Sequence, residues 1–119
     1  VCPEVLAVDP HPPRVYPTLL DHRAIVDFVR RVETTKGYQP DVNLVFRHIA
    51  EELGELAAAL WRHDQARLRS DLPDGTGVGR ECLDLIFLAC YLADLCGADL
   101  GAQLPDRMRE VATQYQVAP

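Results

Sequence analysis

The chain has 119 residues, of which 48% are apolar and 25% are charged, proportions typical of a single ordinary globular domain. Its net charge of −6 argues against nucleic-acid binding, because no basic stripe is available to displace the counterions of a phosphate backbone. No apolar run reaches the roughly 20 residues that cross a bilayer, so no association with a membrane is expected.

The N-terminal segment, residues 1–17, is predicted to be an extended arm outside the domain. It contains five of the nine prolines, which remove backbone donors and favour extended chain. The folded domain is therefore predicted to occupy residues 18–119.

The first predicted helix runs from about Thr18 or Asp21 to Thr34. Gly37 is expected to cap its C-terminal end, and Pro40 prevents the helix from continuing. At helical spacing, one face of this helix is apolar and is made of Ile25, Phe28, Val29 and Val32.

The second predicted helix begins at a cap formed by Asp41 or Asn43 and ends near Arg69. The segment that follows, SDLPDGTGVG, is predicted to be a loop because of its turn-forming composition. The apolar residues of the helix are predicted to form one narrow stripe, made of Val45, Ile49, Leu53, Leu56 and Leu60.

The third predicted helix starts between Thr76 and Arg80 and ends at Cys96, before Gly97. From Leu83 onward it is apolar nearly all round, so we expect it to be buried on most sides.

A fourth helix is predicted from a cap at Asp99 to about Tyr115, and Pro105 predicts a kink or a later start. With four helices and no convincing strand, the fold class is predicted to be all-α.

The four cysteines are predicted to be buried, reduced thiols. No CxxC motif and no Cys/His spacing suits a zinc site, and a free cysteine in an apolar helix behaves as a small hydrophobic residue. Free thiols are typical of a reducing compartment, so the protein is expected to be cytoplasmic. The residues concerned are Cys2, Cys82, Cys90 and Cys96.

Two pairs of acidic residues, each three positions apart, carry the main functional signal. Glu52 and Glu55 lie on one flank of the second helix, whereas Glu51 lies farther round. Glu81 and Asp84 stand at the start of the apolar third helix. Residues three apart are neighbours on a helix surface, and carboxylates beside an apolar core need cations. Four hard oxygen ligands predict a site for Mg²⁺, with Mn²⁺ as a substitute.

Other interpretations of these residues stay open. A single Glu-x-x-Glu pair is most often solvated or neutralised by arginine, and Arg47, Arg62 and Arg80 are near in sequence. A di-iron bundle would need Glu-x-x-His pairs, which none of the four histidines forms. The doublet His63-Asp64 is typical of some metal phosphohydrolases but lacks supporting histidines. His48 and His63 are interpreted as ordinary partners on helix flanks.

The pattern EExxE, followed after about 25 residues by ExxD and an apolar helix, resembles the all-α nucleoside triphosphate pyrophosphohydrolases. These are the MazG-like and dCTP-pyrophosphatase-like proteins, and the likeness covers roughly residues 21–110. The segments NLVFRHIAEELGELAAAL and ECLDLIFLACYLADLCGADL are similar to their second and third helices. The resemblance implies a four-helix bundle completed as a homodimer or homotetramer, and hydrolysis of an NTP or dNTP to the monophosphate and pyrophosphate.

The resemblance also implies roles for the acidic residues. Glu52, Glu55, Glu81 and Asp84 would hold Mg²⁺ while water attacks the α-phosphorus of the substrate. Glu51, or one of the ligands, would orient that water.

The last helix departs from the pattern of these enzymes. Arg107 stands where the family often has a lysine, and Val111 and Gln114 replace the expected asparagine and arginine. The triphosphate is therefore expected to meet other cations, which are Arg47, Arg107, Arg109 and, from a second subunit, Lys36. The base pocket is expected to draw on Phe28, Tyr38, Asn43 and Trp61.

Two other functions remain as alternatives. One is a non-catalytic relative that binds a nucleotide or a partner as a helical module, motivated by the replaced residues of the last helix. The other is a purely structural helical dimer that binds no metal. Trp61 is expected in the core or at a subunit interface, with stacking on a base as its other interpretation.

Overall fold

The structure, a computed structural model, describes residues 21–69 and 75–118. These form four helices, α1 (His22–Thr35), α2 (Val42–Leu68), α3 (Thr76–Leu95) and α4 (Leu100–Tyr115). The described residues contain no strand, so the all-α prediction is confirmed. The proposed arm at 1–17, the alternative helix start at Thr18, Cys2 and most of the predicted loop lie outside the described residues.

The helices begin and end where local capping chemistry predicts. The side chain of Asp21 accepts hydrogen bonds from the backbone of α1, and Asp41 accepts from the first turn of α2 at 2.8 and 3.1 Å. Asn43 is one of the donors in that turn, so the prediction of Asn43 as the cap is wrong. Asp99 caps α4 in the same way. Gly37 has a φ of 80°, which lies in the left-handed region that ends helices.

Pro105 lies inside α4, which is continuous from Leu100 to Tyr115. The prediction of a later start is therefore wrong. Asp99 has already satisfied a donor of the first turn, so the helix begins before the proline, and the proline removes only its own backbone donor.

Helix α3 is the centre of the domain, because both α2 and α1 pack against it. Helix α4 contacts α1 and leaves most of its own surface exposed, with Ala112 as its one buried residue. The buried residues of the core cluster come from the first three helices and are Ile25, Val26, Val29, Val45, Cys90 and Tyr91.

Helix α2 has two apolar faces instead of the single predicted stripe. Val45 is buried and Ile49 packs on the core, but Leu53 and Leu60 are 58% and 47% exposed. The prediction is therefore wrong for these two leucines, because only the face toward α3 is covered. The uncovered face is called the outer stripe, and it consists of Phe46, Leu53, Leu60, Trp61 and Leu68.

The expectation that α3 is buried on most sides is also wrong for the single chain. Only Cys90 and Tyr91 of this helix are buried, and Leu83 is 46% exposed. Two helices cannot cover the whole circumference of a third, and α4 packs on α1 instead. For the same reason Cys82 and Cys96 are exposed, although all three described cysteines are free thiols, as predicted.

Within the described residues no single helix is long and apolar enough to cross a membrane. Helices α3 and α4 meet that criterion only as a pair, across a bend of 108°.

Asp94, the remaining acid of α3, ties this helix to α1. It accepts hydrogen bonds from Arg23 at 3.1 Å and from Arg30 at 2.5 Å, and its side chain is only 19% exposed. We expect Asp94→Ala to lower the free energy of unfolding by about 1–2 kcal/mol, because two arginines lose a partly buried partner. Urea denaturation measures this change.

Asp27→Ala is the matched control for that measurement. Asp27 also pairs with Arg30, at 3.4 Å, but both side chains are about half exposed. Exposed pairs of this kind contribute less than about 1 kcal/mol. Equal destabilisation by the two variants would contradict the assignment of Asp94 as the main polar tie between α1 and α3.

Candidate metal centre

Helices α2 and α3 bring three of the predicted metal ligands together. One carboxylate oxygen from each of Glu52, Glu55 and Glu81 lies within 4.8 Å of the others. The first two are neighbours on α2 because they are three residues apart, and the third reaches them because α3 packs along α2. Oxygen atoms converging from two helices are the ligand set that hard divalent cations prefer.

Two oxygens of this carboxylate trio are buried without a hydrogen-bond partner, Oε2 of Glu52 and Oε2 of Glu81. Buried polar atoms in proteins are nearly always paired, and an unpaired carboxylate oxygen is among the costliest exceptions. Glu55 is exposed, so one side of the trio is open to solvent. The donor chemistry and the unpaired oxygens both fit Mg²⁺ or Mn²⁺ at this position.

The electrostatics of the trio agree with this fit. The pKa of Glu52 is raised from its ordinary value of 4.5 to about 7. Burial is the largest cause, because it disfavours the charged form, and hydrogen bonding to Glu55 and the negative charges of Glu55 and Asp84 add to it. Without a metal, the fold therefore favours the protonated form of Glu52. A bound cation would satisfy the same carboxylate oxygens in place of the proton.

Asp84, the fourth predicted ligand, lies beside the trio and not within it. It is close enough for its charge to raise the pKa of Glu52, and it lines the adjacent cavity together with Glu51 and Glu52. The structure thus places all five predicted catalytic residues in one region, with three as a compact cluster and two at the cavity wall.

The cavity beside the trio, called the acidic cavity, has a volume of about 520 Å³, lies between α1, α2 and α3 and is partly open to solvent. Its lining combines the acids Glu51, Glu52 and Asp84 with the aromatic residues Phe28, Tyr38 and Phe87. Phe28 and Phe87 meet edge to face there, with ring centroids 5.9 Å apart. Lys36 and Tyr38, from the end of α1 and the turn that follows, complete the rim.

The predicted substrate-binding residues divide between this cavity and other places. Phe28 and Tyr38, which were predicted for the base pocket, line it. Lys36 of the same chain lines it too, although the sequence predicted Lys36 from a second subunit, and the contacts of all three with a substrate stay predictions. Arg107 instead lines a second cavity of about 610 Å³ between α1, α3 and α4, and is paired with Glu110 at 3.3 Å. Arg109 pairs with Asp106 on its own helix.

Three further predicted residues, Asn43, Arg47 and Trp61, are exposed on α2 and are not among the described residues that line the acidic cavity. Trp61 is 65% exposed, so its placement in the core is wrong, because it belongs to the outer stripe. Its roles at an interface or on a base stay predictions, as do the triphosphate contacts of Arg47, Arg107 and Arg109.

The sequence interpretation missed Glu33, which is buried in the wall of the acidic cavity. Its carboxylate lies 3.6 Å from Nδ1 of His48, a residue expected to find a partner on a helix flank. The available signal was periodicity. Glu33 follows Ile25 and Val29 at steps of four, so it continues the buried face of α1.

Comparison of the chain with protein-family models, with curated proteins and with solved structures found no match. The likeness to the pyrophosphohydrolases therefore rests on the motif residues, and membership of that family stays a prediction.

The raised pKa of Glu52 predicts how the metal-free protein responds to pH. Because the folded state holds the proton more tightly than the unfolded state, this group stabilises the fold below pH 4.5, and its contribution is lost as the pH rises through about 7. We expect the melting temperature in EDTA to fall from pH 5 to pH 8, and Mg²⁺ to restore it at pH 8.

Glu52→Gln is the control for this pH series, since a neutral amide cannot titrate. We expect its melting temperature in EDTA to vary less between pH 5 and pH 8 than that of the wild type. An identical pH profile for both proteins would show that another group is responsible.

Proposed function

We propose that this chain is a Mg²⁺-dependent nucleotide pyrophosphohydrolase that converts an NTP or dNTP to the monophosphate and pyrophosphate. The observation that carries the proposal is the pair of buried, unpartnered carboxylate oxygens on Glu52 and Glu81. They belong to a trio of acids beside a cavity with an aromatic wall. This combination suits a ligand that is anionic at one end and planar and apolar at the other.

The acidic residues have distinct roles in this proposal. Glu52, Glu55 and Glu81 hold the cation, with Asp84 supplying a further oxygen from the cavity wall. When bound, Mg²⁺ neutralises phosphate oxygens and lowers the pKa of a bound water. Glu51 is exposed at the cavity, where its carboxylate accepts a hydrogen bond from the attacking water and orients it.

The rest of the cavity supports binding of the nucleoside and the phosphates. Its volume of about 520 Å³ falls within the usual range of small-molecule sites, roughly 300–1,000 Å³. Phe28 and Phe87 offer apolar surface to a base or sugar, and Lys36 offers a positive charge to the phosphate chain.

The proposed enzyme acts as a homodimer, or as a dimer of dimers. The outer stripe supports this, because its exposed aromatic and leucine side chains recur at seven- and eight-residue steps along α2. Such a stripe is typical of helices that pack against a partner, and large contiguous apolar surfaces are uncommon on monomers. Lys36 is the one lysine or arginine among the described residues lining the acidic cavity, so a partner subunit has room to add cations.

The test is pyrophosphate release from a panel of NTPs and dNTPs, with Mg²⁺ and with EDTA, for the wild type and Asp84→Ala. We expect turnover that needs both the metal and Asp84. Turnover that is insensitive to EDTA, or equal in the variant, would refute the proposed site.

A non-catalytic nucleotide-binding module is the second candidate. Two features of α4 favour it. Val111 and Gln114 stand where the resemblance predicts an asparagine and an arginine. Arg107 and Arg109 pair with acids of their own helix. This candidate predicts Mg²⁺-dependent stabilisation by nucleotides without release of pyrophosphate. A purely structural dimer predicts neither.

A further inference from the structure

Glu33 is the buried acid that the proposed chemistry does not use. It is only 5% exposed, although it lies near the end of α1 and lines the same cavity as the trio. A buried carboxylate needs donors, because its desolvation is costly. Donors for Glu33 must come from neighbouring side chains or from a ligand in the cavity.

The ring of His48 is the nearest polar side chain to Glu33 among the described ion pairs, and it leaves most of the acceptor capacity of this carboxylate unused. Nδ1 of His48 lies 3.6 Å away, which is longer than a hydrogen bond. An ionised carboxylate has about four lone-pair positions for donors. The ring of His48 is held in turn by Tyr38, with ring centroids 5.2 Å apart. Glu33 thus faces the cavity as a positioned hydrogen-bond acceptor.

The placement of this acceptor relative to the metal centre is set by α2. His48 and Glu52 are four residues apart, so they are neighbours on one side of the helix, about 6 Å apart between their Cβ atoms. Glu33 lies against His48, and both line the same cavity as Glu52. The aromatic wall of Phe28 and Phe87 lies along the same cavity.

We infer that Glu33 is a specificity residue that accepts a hydrogen bond from the amino group of a nucleobase. The inference rests on the proposed function and names its substrate class, nucleotides of cytosine, adenine or guanine. Thymine and uracil lack an exocyclic amino group and flank their single N–H with carbonyl oxygens, which a carboxylate repels. Glutamate accepting from the cytosine amino group is an established pairing in base recognition.

The competing explanation is that Glu33 and His48 only tie α1 to α2. The two explanations differ in what they predict for substrate ranking. A structural tie affects all nucleotides alike, whereas an acceptor that reads the base changes the ratio between amino-bearing and amino-free substrates.

The first measurement uses the wild-type protein. We expect kcat/KM for each amino-bearing nucleotide (dCTP, dATP and dGTP) to exceed kcat/KM for dTTP and for dUTP by about 10- to 100-fold. We expect a similar loss when dCTP is replaced by its analogue that lacks the 4-amino group. The same ranking should appear in the Mg²⁺-dependent rise in melting temperature that each nucleotide causes, which does not depend on turnover.

The second measurement uses Glu33→Gln, which keeps the shape and adds a donor. We expect the preference for dCTP over dTTP to shrink at least about 10-fold, while Glu110→Gln, an exposed glutamate on α4, keeps the wild-type ratio. His48→Ala separates the two roles, because it removes the pairing group and leaves the carboxylate. We expect it to lower kcat/KM for every nucleotide by a similar factor.

Each outcome decides the inference. Equal cleavage of all five nucleotides by the wild type, or an unchanged ratio in Glu33→Gln, would overturn the base-reading role and leave the proposed enzyme intact. If no nucleotide is cleaved and none stabilises the protein, both the base-reading role and the proposed enzyme are overturned. If Glu33→Gln does not fold, the comparison of dCTP with its analogue in the wild type decides alone.

Discussion

Replacement of Glu55 by glutamine is expected to lower pyrophosphate release at least about 100-fold and to abolish the stabilisation by Mg²⁺, since a neutral amide is a poor ligand for a hard cation. Glu55 is the exposed member of the carboxylate trio, so the substitution leaves the core untouched. Its negative charge also raises the pKa of Glu52. In EDTA, therefore, we expect Glu55→Gln to be at least as stable as the wild type.

This combination of effects separates a lost ligand from a damaged fold. The two measurements are kcat with saturating Mg²⁺ and the melting temperature with and without the metal. Glu110→Gln serves as the control, because Glu110 is exposed on α4 and is paired with Arg107. We expect it to behave as the wild type. A Glu55→Gln protein with normal turnover would show that the trio does not carry the reaction.

Introduction of a glutamate at Leu53 is expected to separate the subunits of the proposed dimer. Leu53 is 58% exposed in the middle of the outer stripe. Burying a leucine side chain contributes about 1.5–3 kcal/mol, and a two-fold interface loses that contribution twice while burying two like charges. The dimer should therefore weaken by more than about 3 kcal/mol, or over 100-fold in Kd.

Light scattering after gel filtration measures this change against the chain mass of 13.3 kDa. The matched control is Leu104→Glu, because Leu104 is also 58% exposed but lies on α4. We expect this control to remain dimeric. A monomeric wild type would contradict the proposal outright, and dissociation by Leu104→Glu alone would place the interface on α4.

The KM of the Leu53→Glu variant tests whether the partner subunit helps to bind the phosphates of the nucleotide. Lys36 is the one lysine or arginine that the described residues contribute to the acidic cavity. If the partner subunit supplies further cations, the monomer should bind the nucleotide more weakly, with a raised KM. An unchanged KM would show that one chain holds the substrate alone.

The helix boundaries were predictable from the sequence because capping is local. Asp21, Asp41 and Asp99 bond to backbone donors two or three residues away, and Gly37 adopts its left-handed φ regardless of what packs nearby. The spacing of Glu52 and Glu55 is local in the same sense. Any α-helix places two residues three apart on one flank.

Tertiary packing decided which faces of these helices are covered. Leu53 and Leu56 are both plausible core residues on α2, and only the position of α3 leaves the first exposed and the second half-buried. The arginines of α4 were predicted to meet the triphosphate, and the packing of α4 on α1 places Arg107 of the same chain in a different cavity. No helical spacing within one element encodes such a choice.

The candidate site shows the same division between local and long-range causes. That four acids occur as two pairs, each on one side of a helix, follows from their spacing along the chain alone. The approach of α2 to α3 decided that Glu81 joins the α2 pair while Asp84 remains at the cavity wall. The packing of α1 decided that Glu33 lines the same cavity as Glu52 of the carboxylate trio. Burial and convergence depend on residues distant in sequence, and this is why they emerge only in the folded chain.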